Sequence, residues 1–190
     1  MAEQTEEEKR ESVLFHARFE YSQQLFHVDG TSELYQGDPF TLPPHVSPLL
    51  PQRRRWEYWR EVLPRHWTDV QIDAYQYKHW CGAFSLFCLH KAGLGLEIFW
   101  RDGLGYVEPN HFPHVRIPKP GDVAYFAHNS HYALVERVRG NLFDTIDGNQ
   151  GLTLQAPSIK CHAGRDLTSA AAFYSISPLL VTPPAPEPAP

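Results

Sequence analysis

Long apolar runs are missing from this sequence of 190 residues, and their absence excludes one class of protein. A helix that crosses a bilayer needs about 20 consecutive apolar residues, and no run here comes near that length. Residues 1–11 are polar and acidic, whereas a secretory signal begins with basic residues and continues into an apolar stretch. We therefore expect no membrane span, and synthesis in the cytoplasm without a signal peptide.

Cysteine is scarce, and basic residues are not in excess. A set of three cysteines is odd and small, which argues against a disulfide framework in a chain without a leader. The 17 Lys and Arg residues are outnumbered by 22 Asp and Glu residues, whereas nucleic-acid binders usually carry a basic patch. We expect no nucleic-acid partner, and we interpret the cluster Arg53-Arg54-Arg55 as a solvated face at the start of a helix.

Apolar residues make up 42% of the chain and aromatic residues 13%, enough for one packed domain of this length. We divide the chain into three parts. Residues 1–52 form an N-terminal extension of a helix and a proline-rich loop, residues 53–177 the main domain, and the proline-rich residues 178–190 an extended, disordered tail.

Helical periodicity dominates the first half of the chain. Helices are predicted from Glu3 to about Phe26, from about Arg53 to Leu63, from Thr68 to near Tyr77, and from Trp80 to Lys91. The last of these is apolar on most sides, which is typical of a buried helix, and Gly93 and Gly95 are expected to end it. Residues 30–51 are predicted to be a loop, because glycine and several prolines interrupt them.

The second half has strand-like periodicity. Strands are predicted at 122–126, 131–138, 142–146 and 173–176, and turns at 139–141 and 147–149. Helices followed by strands indicate an α+β domain, in which the helix that begins at Cys81 packs on an antiparallel β-sheet.

Cys81 is the strongest candidate for a nucleophile. A cysteine at a helix N-terminus lies at the positive end of the helix dipole, which favours the thiolate. Gly82 follows it and would let a substrate approach the backbone closely. The N–H of Cys81 itself is a candidate donor for an oxyanion.

His131 and the turn after the next predicted strand supply the other candidate groups. His131 opens a strand, where a side chain can face a cleft, and a cysteine hydrolase needs a histidine within hydrogen-bond reach of its thiol. The following hairpin should bring the turn Asp147-Gly148-Asn149 back beside His131. Either Asp147 or Asn149 could orient the imidazole there.

Four segments occur in a particular order: 80–84 (WCGAF), 118–126 (PKPGDVAYF), 131–136 (HYALVE) and 146–149 (IDGN). Together they resemble the CHAP family of cysteine, histidine-dependent amidohydrolases/peptidases, which is related to the NlpC-type and papain-like folds. The resemblance spans about residues 75–149 and does not cover the first 60 or so residues.

This resemblance implies a papain-like fold and cleavage of an amide bond in peptidoglycan, as an endopeptidase or an N-acetylmuramoyl-L-alanine amidase. Cys81 would be the nucleophile, His131 the base, and Asp147 or Asn149 the orienting residue. Around the substrate and its oxyanion we expect the residues Gln76, Tyr77, Trp80 and Gly82. No cofactor or metal is expected.

A chain of this kind would suit a phage lysis protein or a secreted antibacterial effector. We expect it to be a monomer that acts in the periplasm or cell wall, with an immunity or delivery protein as a further partner. Two alternatives remain open: an inactive module that binds a peptide or glycan, and a cysteine peptidase or deamidase that acts on proteins.

A zinc site formed by His79, Cys81, Cys88 and His90 is disfavoured. On one helix Cys81 and Cys88 would lie about 10 Å apart, too far to share an ion with Zn–S bonds of about 2.3 Å. The adjacent Cys161 and His162 would point to opposite faces of a strand and could not form a dyad.

Overall fold

A computed structural model describes residues 4–28, 31–34, 47–49, 52–75, 78–99, 112–150 and 158–180. The helices are α1 (Glu6–Ser22), α2 (Gln52–Val62), α3 (Asp69–Asp73), α4 (Cys81–Lys91) and α5 (Ser177–Leu180). The strands are β1 (Leu25–Val28), β2 (Thr31–Leu34), β3 (Ser47–Leu49), β4 (His114–Val115), β5 (Val123–Phe126), β6 (His131–Arg139), β7 (Leu142–Asp147), β8 (Lys160–Asp166) and β9 (Ala172–Tyr174).

The main sheet has six antiparallel strands in the order β4-β9-β5-β6-β7-β8 and is open. The N-terminal helices pack on it, so the predicted α+β class is confirmed. The strands expected at 122–126, 131–138, 142–146 and 173–176 are present within a residue or two as β5, β6, β7 and β9. Among the residues that the structure describes, no helix is long and apolar enough to cross a membrane.

Helix α4 forms the centre of the core. Residues 81–90 are all buried, and the helix contacts α1, α2 and β6, which confirms the prediction of a helix that is apolar all round. It ends where predicted, because Gly93 adopts a left-handed conformation with φ of 76° directly after the C-cap residue Ala92.

Helix α1 shares this core instead of standing apart from it. A capping box between Thr5 and Glu8 fixes its start, and Val13, Ala17 and Tyr21 belong to the same buried cluster as α4. The proposed division of the chain at residue 52 stays a prediction, but the helix that precedes it is part of the packed core.

Two predictions about the N-terminal third were wrong. Helix α1 ends at Ser22 and the chain enters β1 at Leu25, so the predicted helix was too long. The predicted loop at 30–51 contains β2 and β3, which both pair with β1 in a small antiparallel sheet. Asp29-Gly30 between β1 and β2 is a local hairpin signal that the loop prediction overlooked, whereas β3 pairs with β1 from farther along the chain and gives no such signal.

The arginine cluster at the start of α2 is only partly solvated. Arg53 is exposed, but Arg54 forms ion pairs with Glu57 and with the buried carboxylate of Glu20 on α1. Arg55 is buried. The expected solvated face is therefore wrong for two of the three residues, because α2 turns this edge toward α1. The predicted tail also began too early, since residues 178–180 continue α5; residues 181–190 lie outside the described part of the chain.

The turn before β5 is held by one buried carboxylate. Asp122 accepts hydrogen bonds from the backbone N–H of Lys119 at 2.8 Å and of Ile176 at 3.0 Å, and it pairs with Arg10 at 2.8 Å. Gly121 has a φ of 86°, which favours glycine. This turn sets the direction in which the chain enters β5 and, through the next hairpin, the position of His131.

Candidate active site

Cys81 is the first residue of α4, and its thiol lies at a helix N-terminus without a side-chain cap. Trp80 occupies the N-cap position but makes no capping hydrogen bond with its side chain. The first backbone hydrogen bond of the helix runs from the N–H of Phe84 to the carbonyl of Trp80 at 2.8 Å. The N–H groups of Cys81, Gly82 and Ala83 therefore have no acceptor within the helix. They are donors placed beside the thiol, as stabilisation of an oxyanion requires.

His131 is positioned by a tight connection between β5 and β6. A short 3-10 turn at Ala127–Asn129 ends at Ser130, which has a left-handed φ of 50° that non-glycine residues adopt uncommonly. His131 then opens β6 directly opposite Phe126, the last residue of β5. The imidazole is buried, with 6% of the residue exposed.

Asp147 orients this imidazole. It is the last residue of β7, its side chain is completely buried, and its Oδ2 lies 2.9 Å from Nε2 of His131. Asn149 points elsewhere: it has a left-handed φ of 60°, and its amide Nδ2 lies 3.2 Å from Nδ1 of His79. Of the two residues left open by the sequence, the structure therefore places Asp147 at His131 and Asn149 at His79, two residues before Cys81.

Gly148 allows the end of β7 to approach α4. A Cβ atom added to Gly148 would lie 2.6 Å from Cβ of Phe84, a distance that real Cβ atoms do not reach. Phe84 lies in the first turn of α4, one turn after Cys81. The glycine between Asp147 and Asn149 thus serves this close contact as well as the turn, and the contact brings the carboxylate and the thiol to the same place.

The electrostatics favour a protonated His131. Burial alone lowers the pKa of His131, but hydrogen bonds with Asp147 and with the Cys81 thiol, together with the charges of both groups, raise the pKa to about 9. Burial raises the pKa of Asp147, yet the hydrogen bond from His131 and the charge of Arg165 outweigh it, so the pKa lies below its ordinary value. The arrangement therefore favours an imidazolium that bridges a carboxylate and a thiol near neutral pH.

Sequence reasoning missed two residues on β8 that lie beside this carboxylate. Arg165 donates from Nη2 to Oδ2 of Asp147 at 2.8 Å, and its guanidinium lies 4.5 Å from the ring centroid of Phe126. Nε2 of His162 lies 4.0 Å from the same oxygen, Oδ2 of Asp147. No sequence motif indicated either residue, because their proximity depends on how β8 pairs with β7.

Gln150 is a third residue that the sequence analysis did not identify, although it directly follows the turn at 147–149. Its side-chain amide nitrogen lies 3.0 Å from Nε2 of His131. A ring nitrogen that donates its proton to Asp147 cannot also accept one from an amide. The Gln150 amide can therefore donate to Nε2 only in the tautomer that leaves this nitrogen unprotonated.

The residues expected around the substrate have different positions. The ring of Trp80 is fully buried and packs against Tyr58 and Phe84, so its side chain is a core group instead of a contact for substrate. Gly82 is buried in the first turn of α4. Gln76 and Tyr77 lie outside the described residues.

The other two cysteines are not placed like Cys81. Cys88 is buried in the middle of α4, and its burial raises the pKa of its thiol well above the usual value. Cys161 is partly buried on β8 and packs against the core. Within the described ranges, no group of three or more His, Cys, Asp or Glu side chains could hold a metal ion.

A scan against protein-family models found no match, and searches among curated proteins and among solved structures found none either. A proposal of function therefore depends on the chemistry of this site and on the resemblance of the four sequence segments.

Proposed function

We propose that this protein is a papain-like cysteine hydrolase of the CHAP type that cleaves an amide bond in peptidoglycan. Cys81 is the nucleophile, His131 the general acid and base, and Asp147 the group that orients His131. The observation that carries the proposal is a buried imidazole that lies 2.9 Å from a fully buried carboxylate and close enough to Cys81 for the thiol to raise the pKa of His131.

The geometry supports acyl transfer to the thiol. Because Nε2 of His131 is engaged by Asp147, Nδ1 is the nitrogen left to exchange a proton with Cys81. The thiolate attacks the amide carbonyl and forms a tetrahedral intermediate. Its oxyanion accepts hydrogen bonds from N–H groups of the first turn of α4 that have no acceptor within the helix, one of which belongs to Cys81.

His131 then completes the reaction. It gives its proton to the departing amine, which leaves a thioester on Cys81. A water molecule gives its proton to His131 and attacks the thioester, and the acid is released with the free thiol restored. Asp147 keeps one ring nitrogen pointed away from Cys81, so that the other stays aligned with the sulfur.

Peptidoglycan as the substrate follows from the resemblance of segments 80–84, 118–126, 131–136 and 146–149 to the CHAP family, and the site geometry fits any accessible amide. The same resemblance underlies the proposal that the protein acts in the periplasm or cell wall, as a phage lysis protein or an antibacterial effector with an immunity or delivery partner.

The test compares purified wild-type protein with Cys81→Ala and Cys88→Ala on peptidoglycan sacculi under reducing conditions. Cys88 is the matched control, because it lies on the same helix but is buried away from the other site residues. Released fragments are identified by mass spectrometry. Fragments from wild type and Cys88→Ala, but not from Cys81→Ala, are expected, and their masses identify the bond.

Folded, reduced wild-type protein that releases no fragments would exclude peptidoglycan as the substrate. A thiol-dependent cleavage or deamidation of protein substrates would then support the alternative peptidase or deamidase. Fragments from Cys81→Ala at the wild-type rate would refute the assignment of the nucleophile itself.

A further inference from the structure

One oxygen atom of Asp147 accepts hydrogen bonds from two cationic side chains. Oδ2 lies 2.9 Å from Nε2 of His131 and 2.8 Å from Nη2 of Arg165. The second oxygen, Oδ1, is buried and has no hydrogen-bond partner among the described residues. The ionised carboxylate is therefore stabilised mainly through a single atom that His131 and Arg165 share.

Arg165 is held in place from two directions. Its strand, β8, pairs with β7, which ends at Asp147. Its guanidinium lies 4.5 Å from the ring centroid of Phe126, where a cation–π interaction stabilises it. The side chain is 22% exposed, so solvent screens this ion pair only in part. The position of the cation is thus fixed by the same hairpins that fix His131.

The two cations behave differently during the proposed reaction. His131 loses its proton when it protonates the departing amine, and Asp147 then loses the charge on one of its two partners. A buried carboxylate without a charged partner costs several kcal/mol. A guanidinium stays charged at any pH at which a protein is folded, so Arg165 remains as the partner in that state.

We propose that Arg165 is a positioning residue that keeps Asp147 ionised and oriented in both protonation states of His131, so that His131 can release its proton to the leaving group. This inference rests on the proposed cysteine hydrolase site and deepens it. Among the described residues, Arg165 bonds to Asp147 and not to Cys81, so its effect on His131 is exerted through Asp147.

Other charged groups around the pair are few. On β8, Nε2 of His162 lies 4.0 Å from Oδ2 of Asp147. The charge of Lys160, on the same strand, lowers the pKa of His162. Burial lowers the pKa of His162, which keeps this ring mainly neutral at neutral pH. From α4, the Cys81 thiol raises the pKa of His131. Arg165 is therefore the permanent cation that bonds to Asp147 in the part of the chain that the structure describes.

The experiment titrates His131 directly. Histidine ring resonances are followed by NMR from pH 6 to pH 10.5 in wild type, Arg165→Gln and Arg165→Lys. A nearby cation disfavours the imidazolium, so its removal in Arg165→Gln should move the His131 titration upward by about one pH unit, a tenfold change in proton affinity. Arg165→Lys keeps the charge and should stay near wild type.

A second readout uses the thiol. The rate of Cys81 alkylation by iodoacetamide is measured against pH by peptide mass spectrometry, which separates Cys81 from the other cysteines. The inflection that accompanies loss of the His131 proton should move upward by the same amount in Arg165→Gln. Neither readout needs a substrate, so the inference is tested even if sacculi are not cleaved. Where sacculi are cleaved, kcat should fall about tenfold in Arg165→Gln with little change in KM.

The matched control is Arg137→Gln. Arg137 bonds to Asp144 at 2.7 and 2.9 Å, so the variant removes an arginine from another buried aspartate of β7 without touching Asp147. The His131 titration and the pH dependence of Cys81 alkylation should both be the same in Arg137→Gln as in wild type. A His131 titration that stays at the wild-type value in folded Arg165→Gln, or that moves equally in Arg137→Gln, would overturn the proposal.

A second variant provides the test if Arg165→Gln does not fold. Arg165→Met removes the same positive charge and keeps an apolar side chain against the ring of Phe126. It should move the His131 titration upward as Arg165→Gln does. An unchanged His131 titration in folded Arg165→Met, with Arg165→Gln unfolded, would also count against the inference.

Discussion

Replacing Asp147 by Asn should change how the stability of the protein depends on pH. In wild type the pKa of His131 is raised from 6.5 to about 9, so folding favours the protonated ring. This contribution to the free energy of unfolding is complete below pH 6.5 and is lost as the pH rises toward 9. At 1.36 kcal/mol per pH unit, the difference between about 9 and 6.5 corresponds to about 3 kcal/mol.

Asp147→Asn removes the carboxylate that supplies the first of the two hydrogen bonds that favour the imidazolium. Burial of His131, which lowers its pKa, remains. We expect the pKa of His131 to fall toward or below 6.5 and most of the stability loss between pH 6.5 and 9 to disappear. The new amide nitrogen takes the place of the partnerless Oδ1, so the variant should also be less stable at every pH, by about 1–3 kcal/mol.

Urea unfolding at pH 6, 7, 8 and 9 measures both effects in this small domain. His128→Gln is the control, since it removes an exposed histidine three residues before His131. Wild type and the control should lose about 3 kcal/mol over this range, and Asp147→Asn should lose much less. Parallel curves for all three proteins would refute the reasoning, because they would show that Asp147 does not stabilise the protonated His131.

Two further predictions concern the packing that positions the site. Arg10→Gln removes one partner of a buried ion pair with Asp122 and should lower the free energy of unfolding, measured in urea, by about 3 kcal/mol. The control Lys119→Gln breaks an exposed ion pair and should lower it by less than about 0.5 kcal/mol. Equal losses in the two variants would contradict the argument. Gly148→Ala places a Cβ against Phe84 and should lower the free energy of unfolding by about 1–3 kcal/mol and reduce kcat. In the double variant with Phe84→Ala, part of the stability lost through Gly148→Ala should be recovered. Strictly additive losses would show that the two residues are not in steric conflict.

The sequence predicted the parts of the fold that local patterns encode. The apolar run that begins at Cys81 predicted a buried helix, and the change of period after Gly121 predicted a set of strands, and both are present. The sequence also predicted that His131 and the turn at 147–149 lie close together, because a hairpin returns the chain to the position where its first strand began. These elements need no knowledge of distant partners.

What the sequence could not predict depends on pairing across the sheet. Whether Asp147 or Asn149 meets His131 is decided by the left-handed backbone at Asn149, which turns that amide toward His79. Arg165 reaches Asp147 only because β8 lies beside β7, and a seven-residue strand with an irregular register gives no local signal of this. The same holds for β3, which pairs with β1 from farther along the chain, but not for β1 and β2, which flank Asp29-Gly30, a local hairpin signal that the loop prediction overlooked.

The contacts of Arg10 have a practical consequence for anyone who shortens or fuses this chain. This residue of α1 donates to Pro120 O, to Asp122 and to Ser177, and so joins the N-terminal helix to the entrance of β5 and to α5. A fragment that starts at residue 53, as the motif boundaries suggest, would lose this junction together with the apolar face of α1. If such a fragment lacked hydrolase activity, that result would not bear on the role of Cys81. Inactive truncated variants should therefore be tested for folding before their inactivity is attributed to the active site.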